Sequence, residues 1–257
     1  MTTSQLRVEE VTKVYERGEV LALKDVSFHV EKGEFLILIG LSGSGKSTLL
    51  RCINRLIEPT TGKIYLDDTD VTAAKGAELR RIRRKIGMIF QQFNLVKRSS
   101  VLTNVLAGRL GYAARWRTLT GRFSKEDLER ARHSLDRVGL SEKIYSRADQ
   151  LSGGQQQRVG IARALMQEPE LLFADEPVSA LDPATSNSVL QYLEQMNQRD
   201  GVTVICALHF LSLARRYGTR IIALKDGEIV FEGLPAEIDA ARFKEIYGED
   251  AEEVEIR

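Results

Sequence analysis

Gly40, Leu41, Ser42, Gly43, Ser44, Gly45, Lys46 and Ser47 spell a complete G-x-x-x-x-G-K-S string. Glycines let a main chain wrap closely around phosphate oxygens with its N–H groups turned inward. Lys46 offers a cation to the β- and γ-phosphates of a nucleotide, and Ser47 offers a hydroxyl to Mg²⁺. The string follows an apolar run at residues 35–39 and leads into a helical stretch over residues 48–56. That placement adds the positive end of a helix dipole to the phosphate site.

Two further clusters have chemistry of the same kind. Leu171, Leu172, Phe173 and Ala174 form an apolar strand that ends in Asp175 and Glu176. In open α/β sheets, ligands bind at the carboxyl edge of such strands. There Asp175 can hold a Mg²⁺ shell and Glu176 can polarise an attacking water. Leu151, Ser152, Gly153, Gly154 and Gln155 open another helix, with Ser152 as its cap and two glycines leaving the N–H groups bare. It has no lysine and no metal-binding partner. Alone it is an ordinary capped helix or half of an anion site whose nucleotide is anchored elsewhere.

The elements that must position these residues alternate strand and helix. Residues 6–15 and 20–30 predict strands, the second with the in–out alternation of an antiparallel sheet. The run at residues 35–39 is apolar at five consecutive positions, as in a strand buried on both faces. A short strand is expected at residues 63–66 and a buried one at residues 86–90. The basic stretch from Lys75 to Lys85 carries Leu79 and Ile82 at near-helical spacing. An amphipathic helix with a solvated face is favoured there over a nucleic-acid patch. From residue 96 to about 150 the strand pattern gives way to helical periodicity, with Gly139 as a stop signal. Helix from Ser152, strand 171–174, helix 183–199 and strands 202–208 and 221–224 complete the order. Residues 249–255 are acidic and expected to form a loosely held tail.

Bulk composition narrows the function classes. The chain has 257 residues, 43% hydrophobic and 28% charged, enough for one large α/β domain. A net charge of +1 gives no global pull toward nucleic acid or anionic lipid. Cys52 and Cys206 have neither metal-site nor disulfide spacing, so a reducing cytosol is expected. The first ten residues are polar, so no signal peptide is expected. No run approaches the roughly 20 apolar residues of a membrane span, and any membrane connection is expected through a partner.

Taken in order, these motifs resemble the nucleotide-binding subunits of ABC transporters, over about residues 6–234. Gln91 is similar to that family's Q-loop glutamine, with Gln92 as the alternative. Leu151–Gln155 resembles its LSGGQ sequence, and Asp175–Glu176 its Walker B pair. Ser179, Ala180, Leu181 and Asp182 resemble its D-loop, and His209 its switch histidine. The resemblance implies a P-loop NTPase (RecA-like) α/β core with an N-terminal antiparallel β subdomain and an inserted α-helical subdomain. The expected division is an ATPase domain over residues 1–240, with core segments 1–95 and 159–240 and helical residues about 96–158. Residues 241–257 are the expected tail.

It also implies ATP and Mg²⁺ as cofactors. ATP contact is expected at Tyr15, Gly40, Leu41, Ser42, Gly43, Ser44, Gly45, Lys46, Ser47, Thr48, Gln91 and Asp175. It is expected also at Ser152, Gly153, Gly154 and Gln155 of a second copy. Mg²⁺ is expected at Ser47, Gln91 and Asp175, and catalysis at Lys46, Gln91, Glu176 and His209. Tyr15 would stack on adenine, the alternative being a core strand residue; His209, without the resemblance, is a structural strand histidine. One departure stands out: Ser212 lies three residues after His209, where importers commonly carry Asp.

Residues 91–111 and 147–154 look very like the phosphonate-import ATP-binding proteins, with polar amino acid import as the competing cargo. The implied partners are a second ATPase subunit, two transmembrane permease subunits and an extracytoplasmic solute-binding protein, without nucleic acid. The implied location is peripheral, on the cytoplasmic face of the cell membrane. A soluble ABC ATPase acting on ribosomes or DNA usually brings two fused nucleotide domains or a long coiled-coil insertion, and neither is present. A nonhydrolytic scaffold is disfavoured by the presence of Lys46, Asp175, Glu176 and His209 together.

Overall fold

A computed structural model describes residues 4–15, 20–112, 123–249 and 251. Strands β1 (Ser4–Tyr15) and β2 (Val20–Glu31) form an antiparallel pair that continues through β4 (Thr61–Leu66) and β5 (Thr69–Asp70), in the order β2-β1-β4-β5. Between β2 and β4 come β3 (Phe35–Ile39) and helix α1 (Lys46–Ile53). After β5 come α2 (Gly76–Lys85), β6 (Ile86–Ile89), α3 (Val101–Leu106) and α4 (Lys125–Arg137). Then follow α5 (Gly153–Leu165), β7 (Leu171–Asp175), α6 (Pro183–Asp200) and β8 (Thr203–Ala207). The chain closes with α7 (Leu211–Tyr217), β9 (Arg220–Lys225), β10 (Glu228–Gly233) and α8 (Ala240–Tyr247).

The second sheet has the order β10-β9-β3-β8-β7-β6, parallel except for the β9–β10 hairpin. Its central strands β3, β7 and β8 are buried at every position because both faces are covered. Phe35, Ile37 and Ile39 of β3 enter one core with α3 to α7, and Leu36 and Leu38 enter the other with α1 and the antiparallel sheet. The same alternation divides β7, whose Leu172 and Ala174 face the first core and Leu171 and Phe173 the second. Burying both faces locks the register, since a slip of one residue would exchange the two cores.

Several boundaries differ from expectation. Helix α1 begins at Lys46, two residues before the expected start, because the left-handed Gly45 is its N-cap. Helix α5 runs across the boundary expected at residues 158–159, so the helical segment and the core share one helix. The basic stretch is helix α2, with Ile82 buried and Arg80 and Arg81 exposed. Strand β10 and helix α7 have no counterpart in the sequence-based expectations. Residues 240–247, most of them assigned to the tail, form α8 instead, and its Ile246 is buried in the core. Of the acidic tail, residues 250 and 252–257 lie outside those described. Among the described residues, no helix is long and apolar enough to cross a membrane.

Candidate active site

Four neighbouring strands deliver the chemistry to one edge. In register, Leu38 of β3 pairs with Ala207 of β8, which pairs with Asp175 of β7; Ala174 then pairs with Ile89 of β6. The segments leaving these strands carry, in spatial order, the glycine-rich loop, His209, Asp175–Glu176 and Gln91. Parallel strands in register must release their chains on the same side of the sheet, and that is how residues far apart in sequence meet.

The loop after β3 depends on its glycines. Gly40 has φ +138, and a Cβ there would lie 2.1 Å from the Leu224 carbonyl oxygen. Gly45 has φ +106, and a Cβ there would lie 2.7 Å from the Ala22 carbonyl oxygen. Larger residues would therefore push the loop away from β9 and β2. The loop closes on Lys46, whose Nζ donates to the carbonyls of Gly40 at 2.7 Å and Leu41 at 3.0 Å. The ammonium is buried, and burial pulls its pKa below the ordinary lysine value, opposed by the charges of Glu176 and Asp175. It lies 3.8 Å from Glu176 Oε1.

Ser47 Oγ donates to Asp175 Oδ1 at 2.6 Å, joining the start of α1 to the end of β7. Burial raises the Asp175 pKa above the ordinary carboxylate range, against the Ser47 hydrogen bond and the charges of Arg51 and Lys46. Among the described residues its Oδ2 is buried without a hydrogen-bond partner, with Arg51 Nη2 3.5 Å away. A buried carboxylate oxygen lacking a donor, beside a serine hydroxyl, is an oxygen donor set of the kind that suits a hard divalent cation.

Both oxygens of Glu176 are engaged. His209 Nε2 lies 2.6 Å from Oε1, and Gln91 Nε2 donates to Oε2 at 2.9 Å. The hydrogen bond to His209 is the largest influence on Glu176 and holds its carboxyl below the usual range, outweighing burial. Glu176 has φ +49, left-handed backbone that is costly for a residue with a Cβ and is typical of functional positions. Gln91 also contacts Ser179 Oγ at 3.4 Å, whereas Gln92 is exposed and does not line this cavity. Ser212 falls in the first turn of α7.

A cavity of about 200 Å³ is lined by residues 42–48 with Ala22, Gln91 and Glu176. Tyr15, at the last position of β1, is 38% exposed, and its hydroxyl lies 3.3 Å from Oγ1 of the lining residue Thr48. That exposure removes the core-residue alternative for Tyr15.

Ser152, Gly153, Gly154 and Gln155 do not line the cavity. Ser152 caps α5 by accepting from Gln155 N, while Gln155 Oε1 accepts from Ser152 N, a reciprocal box. Among the described residues, this second helix terminus lines none of the cavities around the phosphate loop.

Two nearby residues escaped the sequence reading. Arg51 sits one turn after Ser47 on α1, and that four-residue spacing is the signal that could have found it. Arg163 of α5 donates to the carbonyls of Asn94 at 2.7 Å and Phe93 at 2.9 Å, fastening the segment after Gln91. Nothing in its local sequence points to that role.

Comparison with known proteins follows the same line. The sequence model of the family described as ABC transporter matches residues 23–179. The phosphonates import ATP-binding protein PhnC of Bdellovibrio bacteriovorus is 58% identical, across 97% of this chain and 95% of that protein. The protein of the same name from Staphylococcus saprophyticus is 52% identical, across 98% of each chain. A dimeric post-hydrolysis state of the ATP-binding cassette MJ0796 bound to ADP and Pi superposes with a TM-score of 0.80. It is 41% identical and covers 90% of this chain and 98% of its own. The ADP conformation of the cassette MJ1267 also gives a TM-score of 0.80, at 29% identity, covering 97% and 96%.

Proposed function

The chain belongs to the ABC transporter family, and from that premise we propose that it is the ATP-hydrolysing subunit of a phosphonate importer. The observation that carries the hydrolytic part is the convergence of Lys46, Asp175, Glu176, His209 and Gln91 at adjacent strand ends. The phosphonate cargo rests on the full-length likeness to phosphonates import ATP-binding proteins.

In the proposed mechanism, main-chain N–H groups of residues 42–47 and the Lys46 ammonium grip the phosphates. Arrival of the nucleotide draws Lys46 away from the Gly40 and Leu41 carbonyls, which hold it otherwise. Ser47, Asp175 and Gln91 would hold Mg²⁺, which neutralises charge on the phosphates when bound. Glu176 accepts a proton from the attacking water as that water's oxygen bonds to the γ-phosphorus and the bond to the β-phosphate oxygen breaks. For this, Glu176 must free one oxygen from His209 or Gln91. His209 then turns toward the γ-phosphate while still orienting the base. The lysine-free terminus at Ser152–Gln155 completes the site of a second copy, so a homodimer docked on two permease subunits at the cytoplasmic membrane face is the working unit. An extracytoplasmic binding protein supplies the cargo.

The test is reconstitution. The chain, its co-purifying permease subunits and the binding protein are placed in liposomes with internal Mg-ATP. Uptake of labelled 2-aminoethylphosphonate that requires ATP is the expected result. Uptake of a polar amino acid instead would overturn the cargo, and ATP-independent behaviour would overturn the motor.

A further inference from the structure

Helix α8 reaches the switch histidine from outside the site. Tyr247, on its last turn, donates its hydroxyl to the main-chain carbonyl of His209 at 3.2 Å. Three attachments hold α8 where this can happen. Its Ile246 is buried, and Phe243 and Tyr247 pack against the same core with ring centroids 4.8 Å apart. Lys225 Nζ, at the end of β9, donates to the Glu245 carbonyl at 2.7 Å. Arg215 of α7 donates to the Ile238 carbonyl at 2.7 Å, tying the approach to α8 onto the helix that follows His209.

The segment that Tyr247 grips is a short link between two elements. His209 lies between the end of β8 and the start of α7, and Phe210, the N-cap of α7, makes no side-chain capping bond. On the strand side, Leu208 N donates to the Leu38 carbonyl at 2.9 Å. On the other side of the histidine, the Tyr247 bond fixes the carbonyl and so limits rotation of the peptide plane that follows the Cα bearing the imidazole. The imidazole in turn sits 2.6 Å from Glu176 Oε1.

We propose that Tyr247 is a positioning residue for ATP hydrolysis: through the His209 carbonyl, helix α8 sets the angle at which the imidazole meets Glu176. This rests on the hydrolytic roles proposed for His209 and Glu176. It makes the C-terminal helix part of the switch, so that anything displacing α8 slows turnover without weakening the hold on ATP.

Tyr247→Phe deletes the hydroxyl and keeps the ring and its packing. In the assembled transporter, kcat is expected to fall roughly 2–10-fold, the rate equivalent of one net hydrogen bond. KM for ATP is expected to stay within about twofold, since the variant touches no group that binds ground-state nucleotide. The chain has three histidines, so ¹⁵N-imidazole spectra resolve each one. The His209 resonances of Tyr247→Phe are expected to move while those of His29 and His133 stay in place. Unchanged kcat, a change in KM alone, or an unmoved His209 signal would each overturn the proposal. His209→Ala separates the two ideas: full activity in that variant would refute the hydrolytic role of His209, whereas the spectrum tests Tyr247 directly.

Discussion

His209 Nε2 lies 2.6 Å from Glu176 Oε1, although the two residues leave different strands, β8 and β7. The in-register pairing of Asp175 with Ala207 brings them together, because it aligns the points at which the two chains leave the sheet. The consequence is a carboxylate restrained by the imidazole, its pKa held below the usual carboxylate range.

Glu176→Gln keeps the shape of that contact and removes the carboxylate proposed as the base. ATP binding is expected to survive, while hydrolysis slows by about 10²–10⁴-fold, the range for a positioned acid–base group. The ATP-bound dimer is expected to accumulate on size exclusion. Rapid single-turnover hydrolysis by this variant would assign the base elsewhere.

Lys46→Ala removes the buried ammonium at the phosphate loop. Turnover is expected to fall on the order of 10²–10³-fold, as for other preorganised charge-stabilising groups, with loss of tight nucleotide binding. Equilibrium binding of a fluorescent ATP analogue is the direct check, and near-normal affinity would contradict the placement of phosphates beside Lys46.

Asp175→Asn is expected to stabilise the nucleotide-free chain while abolishing Mg-dependent activity. Burial raises the Asp175 pKa in the folded state, so its charge opposes folding. The cost is absent below the unfolded value of about 4, grows as pH rises past it, and is complete above the raised folded value. A gain of a few degrees in Tm at neutral pH, about what ~1 kcal/mol gives a domain of this size, is expected to vanish in acid. A Tm gain independent of pH would rule out this origin.

Ser152→Arg places a long cation on the helix terminus that is absent from its own chain's cavity. Single-chain ATP binding is expected to persist, and ATP-driven dimerisation and turnover to fail. Mixed with Lys46→Ala chains, one composite site per heterodimer is intact and the other doubly damaged. Partial recovery of ATPase activity is the expected result. Silence from well-folded mixtures, with crosslinks absent between Ser42 of one copy and Ser152 of the other, would refute the head-to-tail arrangement.

Much of this protein was settled by local sequence. The loop from Gly40 to Ser47 needs particular residue types at fixed spacing, because backbone conformation and helix start are local properties. The five-residue apolar run of β3 announces a strand covered on both faces, and Asp182 followed by Pro183 announces the start of α6. Ser152 likewise reads as the cap of α5 before any fold is known.

Tertiary structure decided what meets what. No local rule pairs Ser47 with Asp175, gives Glu176 both His209 and Gln91 as partners, or decides between an exposed and a core position for Tyr15. Those relationships come from strand order and register, which depend on how two cores close on a common sheet. Helix α8 is the clearest case: its short amphipathic stretch beside an acidic end reads as tail, since isolated helices of this length are marginal in water. Only the core that receives Ile246 makes it a helix, and only that docking carries the Tyr247 hydroxyl to the His209 carbonyl.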